Sequence, residues 1–109
     1  MAEPPSGKME HIARAVAQGR YRYTVHGAQQ LIARGIHRGD VEEAAATGEL
    51  IEDYPDHRYG PACLVLGRSI GGEPLHLVCS LRETVDIVTV YRPEPAEWED
   101  DWKTRRRAP

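Results

Sequence analysis

The chain has 109 residues, of which 14 are basic and 17 acidic, so it suits one domain with a single modest core and carries a formal net charge of −3. That balance excludes a broadly basic nucleic-acid coat, although it is compatible with a local basic patch. No apolar run approaches the roughly 18 residues of a membrane span, and the N-terminal sequence MAEPPSGKME lacks the apolar segment of a secretory signal, so we expect a cytoplasmic protein without membrane contact.

The N-terminal end of the chain predicts a short unstructured segment and then a helix. Residues 1–7 are rich in proline, serine and glycine, and we expect them to be disordered. A single α+β domain is therefore expected over residues 8–107. Its first helix fits residues 8–18, where apolar side chains recur at helical spacing before a glycine.

Two more helices are predicted before the strands begin. Thr24 is the expected N-cap of a helix over about residues 25–34, which Gly35 ends. A third, short helix is expected over residues 40–48, because the aspartate that opens it is followed three residues later by a glutamate, the spacing of a capping box.

The apolar period then changes from 3.6 to 2, which predicts strands. Four of them form a mainly antiparallel sheet over residues 49–54, 61–70, 73–82 and 85–92. Pro95 suits the first turn of a C-terminal helix. Helices first, sheet second and helix last predict an α+β fold in which N-terminal helices pack on a four-stranded sheet.

The strongest local signal is the pair Gly71–Gly72, since both positions of a two-residue hairpin turn require positive φ. A tight turn there would place Gly67 opposite His76. A second short turn over residues 83–84 would place Tyr91 opposite His76 as well. We therefore expect a histidine and a tyrosine to be neighbours on one side of the sheet, beside a glycine that leaves room above them.

The same register separates the two cysteines. It places Cys63 opposite Ser80 and Cys79 opposite Leu64, so the thiols are expected on opposite sides of the sheet as free, buried groups. His76 and Cys79 also point apart. The sequence has no zinc-ligand spacing, Walker loop or dinucleotide-binding glycine motif, and no metal or other cofactor is expected.

Two pairs of residues are candidates for chemistry. His76 has a side chain that titrates near neutrality, and Tyr91 beside it could donate a hydrogen bond to a developing charge. The alternative is a buried hydrogen bond with a purely structural role. His26 lies in the first turn of the second helix, where the dipole favours a neutral ring, and Arg34 lies two turns further on and could hold an anion. A loop-bonded histidine and a solvated arginine are the alternatives.

The C-terminal stretch carries a compact positive cluster that could bind the phosphates of RNA, and a solvated helix end is the alternative interpretation. The cluster consists of Arg92, Lys103, Arg105, Arg106 and Arg107. Trp98 and Trp102 are four residues apart, and we expect them to dock the predicted terminal helix on the sheet.

Three stretches carry a family resemblance: TVHGAQQLIARGIHRGDVEEAAATGELIEDYPD, GPACLVLGRSIGGEPLHLV and DIVTVYRPEPAEWEDDWKTRR. Over about residues 21–107 they are similar to the small bacterial proteins of domain-of-unknown-function family 4258. The resemblance implies the RelE-like (BECR-like) fold of small ribonuclease toxins and a zinc-ribbon antitoxin of the YgiT type as partner. Where the family pattern has an arginine four residues after the helix-start histidine, this chain has Gln30.

On that resemblance we expect a metal-independent endoribonuclease, the toxin of a type II toxin–antitoxin pair. The 2′-hydroxyl of RNA would attack the adjacent phosphate, which requires a base, an acid and cations. His26 and His76 are the candidates for acid and base, with the order open. Arg34 would stabilise the charge on phosphorus, and Tyr91 would position it.

Two alternatives use no catalysis. A protein-interaction domain could bind a partner along the edge strand at residues 49–54, which the acidic net charge and Gln30 favour. A small-molecule sensor could use a cavity around Gly67. The oligomeric state is not determined by the sequence.

Overall fold

The computed structural model describes residues 5–58 and 60–107. Its three helices are α1 (Pro5–Ala17), α2 (Val25–Arg34) and α3 (Arg38–Ala46). Its five strands are β1 (Tyr21–Tyr23), β2 (Glu49–Tyr54), β3 (Ala62–Arg68), β4 (Pro74–Ser80) and β5 (Val85–Tyr91). The α+β class is confirmed. Residues 1–4 of the segment predicted to be disordered lie outside the described residues, and α1 already begins at Pro5.

The sheet has five strands rather than the predicted four, in the order β1-β5-β4-β3-β2. The four predicted strands form an antiparallel meander. The additional strand, β1, pairs in parallel with β5, with Tyr21 opposite Val85. Three residues between two helices are too few to show a period of 2, so only pairing in the fold defines this strand.

The caps predicted for α2 are confirmed. The Thr24 hydroxyl accepts a hydrogen bond from the Gly27 amide at 3.0 Å, and Gly35 ends the helix with φ of 62°. Helix α3 begins two residues earlier than predicted. Its N-cap is His37, whose amide donates to the Asp40 carboxylate at 3.4 Å.

The β3–β4 hairpin differs from the predicted two-residue turn. The Ser69 amide donates to the Glu73 carbonyl at 2.8 Å, and the amide of Gly72 donates to the Ser69 carbonyl at 2.9 Å. Gly72 has φ of 88°, whereas Gly71 is not in the positive-φ region. This is the pattern of a three-residue loop that ends in a left-handed residue. The pairing of the two strands is therefore shifted by one residue.

The shift moves a glycine to the other side of the sheet. Leu66, not Gly67, lies opposite His76. Gly67 faces α3, where a Cβ atom would collide with the backbone of Ala44. The predicted cavity around Gly67 is therefore wrong, because α3 fills that space.

The shift also brings the cysteines together. Cys63 lies directly opposite Cys79 on the helix-facing side, so the prediction of opposite sides is wrong. Both are free thiols and buried, as predicted. Burial raises the pKa of the Cys63 thiol to about 12 and also raises the pKa of the Cys79 thiol.

The predicted pairing of His76 with Tyr91 is confirmed, although by two deviations that cancel. The pairing shifts by one residue after Val78, so that Cys79 lies opposite Ile87. Close to the β4–β5 connection, the pairing therefore fits a loop with an odd number of residues, whereas the sequence predicted a two-residue turn. The extra residue in the bulge restores the predicted alignment further along the hairpin.

The main core lies between the helices and one side of the sheet, with α1 packed on α3, α3 on β3 and α2 on β5. The buried residues of this core are Ile12, Ala15, Val16, Tyr21, Ile36, Val41, Ala44, Ala45, Cys63, Val65, Leu75, Leu77, Cys79, Val85, Ile87 and Val90. Leu64 and Leu66 are also buried but belong to the opposite side of the sheet.

The predicted C-terminal helix is wrong. Residues 93–107, which we name the strap, form turns and extended chain with one isolated bridge between Trp98 and Arg105. The Asp101 carboxylate accepts hydrogen bonds, at 3.0 Å each, from the amides two and three residues ahead of it. Such local bonds offer the backbone an alternative to a helix.

Candidate functional site

The candidate site lies on the side of the sheet that faces away from the helices. The register places Tyr54, His76 and Tyr91 there. A bulge between Leu50 and Glu52 keeps both ends of β2 in phase with this side, so Glu49 and Glu52 share it. The strap covers these strands.

His76 is at the centre of the site and is fully buried, with 0% exposure. Its Nε2 lies 2.6 Å from the Trp102 carbonyl oxygen, and its Nδ1 lies 3.0 Å from the Tyr91 hydroxyl. A carbonyl only accepts, so Nε2 carries a proton, and in the neutral imidazole Nδ1 accepts from the Tyr91 hydroxyl. Both nitrogens are therefore engaged.

The surroundings of His76 favour this neutral form. Burial lowers its pKa, and the positive charge of Arg105 acts in the same direction. The Trp102 carbonyl and the negative charge of Glu52 oppose that shift without cancelling it. Burial also raises the pKa of Tyr91, so the phenol keeps its proton at neutral pH. The basic site of this His76–Tyr91 pair is therefore the lone pair on Nδ1, which the Tyr91 hydroxyl covers.

Two aromatic and ionic contacts hold the strap on the sheet. Trp98 is 2% exposed, and its ring meets the ring of His76 edge-on at 4.4 Å between centroids. The Arg105 guanidinium lies 4.6 Å from the centre of the Trp98 ring and donates two hydrogen bonds, of 2.8 and 3.0 Å, to Glu52. This ion pair lowers the pKa of Glu52, and the Tyr54 hydroxyl also donates to that carboxylate.

Most of the predicted phosphate-binding cations have partners within the chain. Besides Arg105, ion pairs join Lys103 to Glu49 at 3.4 Å, Arg106 to Glu99 at 2.9 Å and Arg92 to Glu73 at 3.1 Å. In the part of the chain that the structure describes, the Arg107 side chain has no such partner. Exposed pairs of this kind stabilise a fold only weakly, by about 0–1 kcal/mol each. A polyanion can therefore compete for these cations.

A surface pocket of about 270 Å³ adjoins the buried pair, where the end of α2, the end of β5 and the strap meet. It collects several residues singled out from the sequence, and its lining is Arg34, Tyr91, Arg92, Glu94, Glu97, Trp98 and Arg105. Tyr91 lines the pocket and His76 does not.

Arg34 and Arg92 lie at the part of the pocket that could bind an anion. Arg92 donates to the backbone carbonyl of Arg34 at 2.9 Å, where the negative end of the α2 dipole favours a cation. The Arg34 side chain is exposed, and within residues 5–58 and 60–107 its guanidinium has no hydrogen bond or ion pair. It is therefore available to an anion.

His26 stands apart from this group. It is exposed in the first turn of α2 and is not among the residues that line the pocket. Among the described residues no hydrogen bond or ring contact joins it to His76. The two histidines proposed from the sequence as acid and base are therefore not brought together in this conformation.

Glu52 and Trp98 belong to the site but were not among the residues expected to carry chemistry. Glu52 and Tyr54 have the spacing of one strand face, which indicates either a site rim or an exposed edge. The stacking of Arg105 on Trp98 has no signal in the sequence, since it depends on the strap not being helical.

Among the described residues, neither a cluster of metal ligands nor a membrane-spanning helix accompanies this arrangement. Within the described ranges, no three His, Cys, Asp or Glu side chains are grouped so that they could hold a metal ion. Within the same ranges, every helix is too short or too polar to cross a bilayer.

The model of one protein family matches more than half of the chain. Residues 23–92 match the model of the family described as Domain of unknown function (DUF4258). The chain belongs to this family. No curated protein and no solved structure matches the chain.

The DUF4258 match is shorter than the similarity expected over residues 21–107. It contains His76 and Tyr91, together with α2, α3 and strands β2–β5. The strap begins directly after its last residue, Arg92. The DUF4258 domain therefore supplies the buried pair, and chain outside the matched range seals it.

Proposed function

We propose that this chain is a metal-independent endoribonuclease of the RelE-like toxin type, which binds the RNA backbone in the pocket between α2, β5 and the strap. The observation that carries the proposal is that three arginines, Arg34, Arg92 and Arg105, line the same pocket as Tyr91. Guanidinium groups match phosphate oxygens in geometry and charge. A zinc-ribbon antitoxin of the YgiT type remains the proposed partner.

The geometry supports a role for Tyr91 in proton transfer. Tyr91 lines the pocket while its hydroxyl donates to Nδ1 of His76 at 3.0 Å. The 2′-hydroxyl of RNA would pass its proton to the Tyr91 oxygen as the phenol proton moves to His76. Arg34 and Arg92 would stabilise the charge that develops on the phosphate. His76 thus acts through Tyr91, and His26 stays the sequence-based candidate for the acid.

RNA binding tests the pocket. Arg34→Ala is compared with Arg14→Ala, since both residues are exposed arginines in the last turn of a helix and Arg14 is not part of the pocket. Fluorescence anisotropy with a short labelled single-stranded RNA is measured over a range of salt. We expect Arg34→Ala to weaken binding for every sequence and to reduce the salt slope by about 1. Equal affinities for the two variants would contradict the proposal.

Cleavage is tested separately with purified protein and RNA, with and without ribosomes. We expect the wild type to cut RNA and Tyr91→Phe to bind RNA but not to cut it, because the hydroxyl that relays the proton is gone. RNA that stays intact with the wild type in both conditions contradicts the ribonuclease proposal.

A second candidate is a protein-interaction domain that adds a partner strand to the outer edge of β2. It is favoured by the position of β2 at the end of the strand order, with β3 as its neighbour. Growth assays separate the two candidates. If expression of the wild type is harmless, and His76→Ala has the same growth, the interaction domain is favoured.

A further inference from the structure

We infer that the strap is a gate on the candidate site, closed in this structure, and that a polyanion opens it by competing for the basic side chains that hold it shut. The inference rests on the proposed function only for the identity of that polyanion, RNA.

The gate covers His76 through two contacts. The Trp102 carbonyl occupies Nε2 of His76, and the Trp98 ring lies against the same imidazole. Without the strap, the polar groups of β2, β4 and β5 on this side of the sheet lose their cover. A carboxylate (Glu52), an imidazole and two phenols (Tyr54 and Tyr91) would then line one open groove.

Besides the contacts of Trp98 and Trp102 with His76, the gate is held by ion pairs that are easily exchanged. The strap has no regular helix or strand, and its one bridge joins two of its own residues, Trp98 and Arg105. Its links to β2 are the ion pairs of Lys103 with Glu49 and of Arg105 with Glu52. The side chains of Lys103 and Arg105 are 44% and 59% exposed, so salt and competing anions can reach both pairs and weaken them.

One residue of the strap also has an unfavourable backbone conformation. Trp102 has φ of 62°, a region that bulky side chains rarely adopt. In the closed form the carbonyl of this residue receives the hydrogen bond from His76. Opening would release it.

The same cations that close the gate are the ones that RNA would bind. Lys103 and Arg105 already pair with carboxylates of β2, so phosphates would compete with Glu49 and Glu52 for them. A ligand shifts a conformational equilibrium by its differential affinity for the two states. A polyanion that binds the released strap more tightly than the docked strap therefore opens the site, and RNA would open the site that acts on it.

Tryptophan fluorescence tests the gate directly, because the chain has 2 tryptophans and both lie in the strap. The probe is a single-stranded DNA oligonucleotide, a polyanion without the 2′-hydroxyl that cleavage requires. We expect it to shift the emission of the wild type to longer wavelength and to increase quenching by acrylamide. Glu52→Gln should produce the same change without DNA.

Asp53→Asn is the matched control, since Asp53 also forms an exposed ion pair on β2, but with Lys8 of α1 on the other side of the sheet. We expect its fluorescence to equal that of the wild type. Arg105→Ala, which breaks the Glu52 pair from the strap side, should behave like Glu52→Gln.

Accessibility of His76 gives a second measurement. Diethyl pyrocarbonate modification, mapped by mass spectrometry, should label the exposed His26 and His37 in the closed protein but not His76. DNA or Glu52→Gln should make His76 reactive. If neither changes tryptophan quenching or His76 labelling, the strap is a fixed part of the fold and the gate is wrong.

Different results would contradict the gate proposal and the ribonuclease proposal. A strap that opens with DNA in a protein that never cuts RNA leaves the gate standing and removes the ribonuclease. RNA cleavage with His76 still protected from the reagent removes the gate and leaves the ribonuclease.

Discussion

The carbonyl oxygen of Trp102 accepts a hydrogen bond from Nε2 of the buried His76, and this bond fixes the tautomer of the imidazole. Since Nε2 holds the proton, Nδ1 presents a lone pair to Tyr91. One backbone atom outside the family match thus determines which nitrogen of the candidate base is available.

Removing the Tyr91 hydroxyl should destabilise the fold. Tyr91→Phe leaves Nδ1 of a buried imidazole without a donor, and we expect the free energy of unfolding to fall by about 1–3 kcal/mol. Urea denaturation measures it. The control is Tyr23→Phe, because the Tyr23 hydroxyl is buried without a hydrogen-bond partner among the described residues. That change should be neutral or stabilising, and equal losses for the two variants would contradict this account.

Stability should fall in mild acid because of His76. Its pKa is lowered in the fold, chiefly by burial, and its charged and titratable neighbours are Glu52 of β2, Tyr91 of β5 and Arg105 of the strap. An unfolded histidine titrates near pH 6.5, about its usual value. Between the folded and unfolded pKa values the unfolded chain binds more protons, so the free energy of unfolding rises with pH there.

The stabilising contribution of the neutral His76 is therefore complete above the unfolded pKa and is lost as the pH falls towards the folded pKa. Urea denaturation over this interval should give a smaller pH slope for His76→Gln than for the wild type. Identical slopes would show that His76 does not titrate differently in the two states.

Gly67 should not tolerate a side chain. A Cβ atom there meets the backbone of Ala44 in α3, which cannot move aside as a flexible side chain would. We expect Gly67→Ala to cost about 1–3 kcal/mol or more, the range of overpacked cores. The experiment is thermal or urea unfolding, and a stability equal to the wild type would place Gly67 on the open side of the sheet instead.

The two glycines of the hairpin should respond differently to alanine. Gly72 has φ of 88°, which disfavours an alanine, whereas Gly71 has no positive φ and a Cβ atom there would make only an ordinary contact with the Ser69 hydroxyl at 3.9 Å. We expect Gly72→Ala to destabilise by about 1 kcal/mol and Gly71→Ala to be near neutral. Equal losses at both positions would favour the two-residue turn that the sequence suggested.

The cysteines should be unreactive in the folded protein. Both are buried, and burial raises the pKa of Cys63 to about 12, so almost no thiolate is present at neutral pH. A colourimetric thiol reagent should label neither in native buffer and both in denaturant. Rapid labelling of the native protein would contradict their placement in the core.

Local signals predicted the helices better than the sheet. Helix α2 has the predicted bounds because Thr24 and Gly35 act on their own neighbours in sequence. The predicted register of β3 and β4 was wrong, because one residue more or less in the connecting loop changes which side of the sheet each side chain faces. The bulge after Val78 could not be predicted, since it has no composition signal.

The candidate site was predicted in part. His76 and Tyr91 are neighbours as expected, and Arg34 lies at the same pocket as Tyr91. Trp98 and Trp102 were expected to dock the C-terminal segment on the sheet, but as a helix, so the contacts of the strap with His76 were not predicted. Its actual path depends on the local hydrogen bonds of Asp101 and on distant carboxylates of β2, which no local pattern specifies.

The bulge in β2 sets a spacing of charges. In regular strands, side chains on one face recur every second residue, yet Glu49 and Glu52 are three apart and share a face. Their partners, Lys103 and Arg105, are two apart on the strap. The extra residue in β2 thus lets two carboxylates that are three residues apart meet two cations that are two residues apart on the strap. Without the bulge, the same sequence in a regular strand would turn one of the two carboxylates towards the helices.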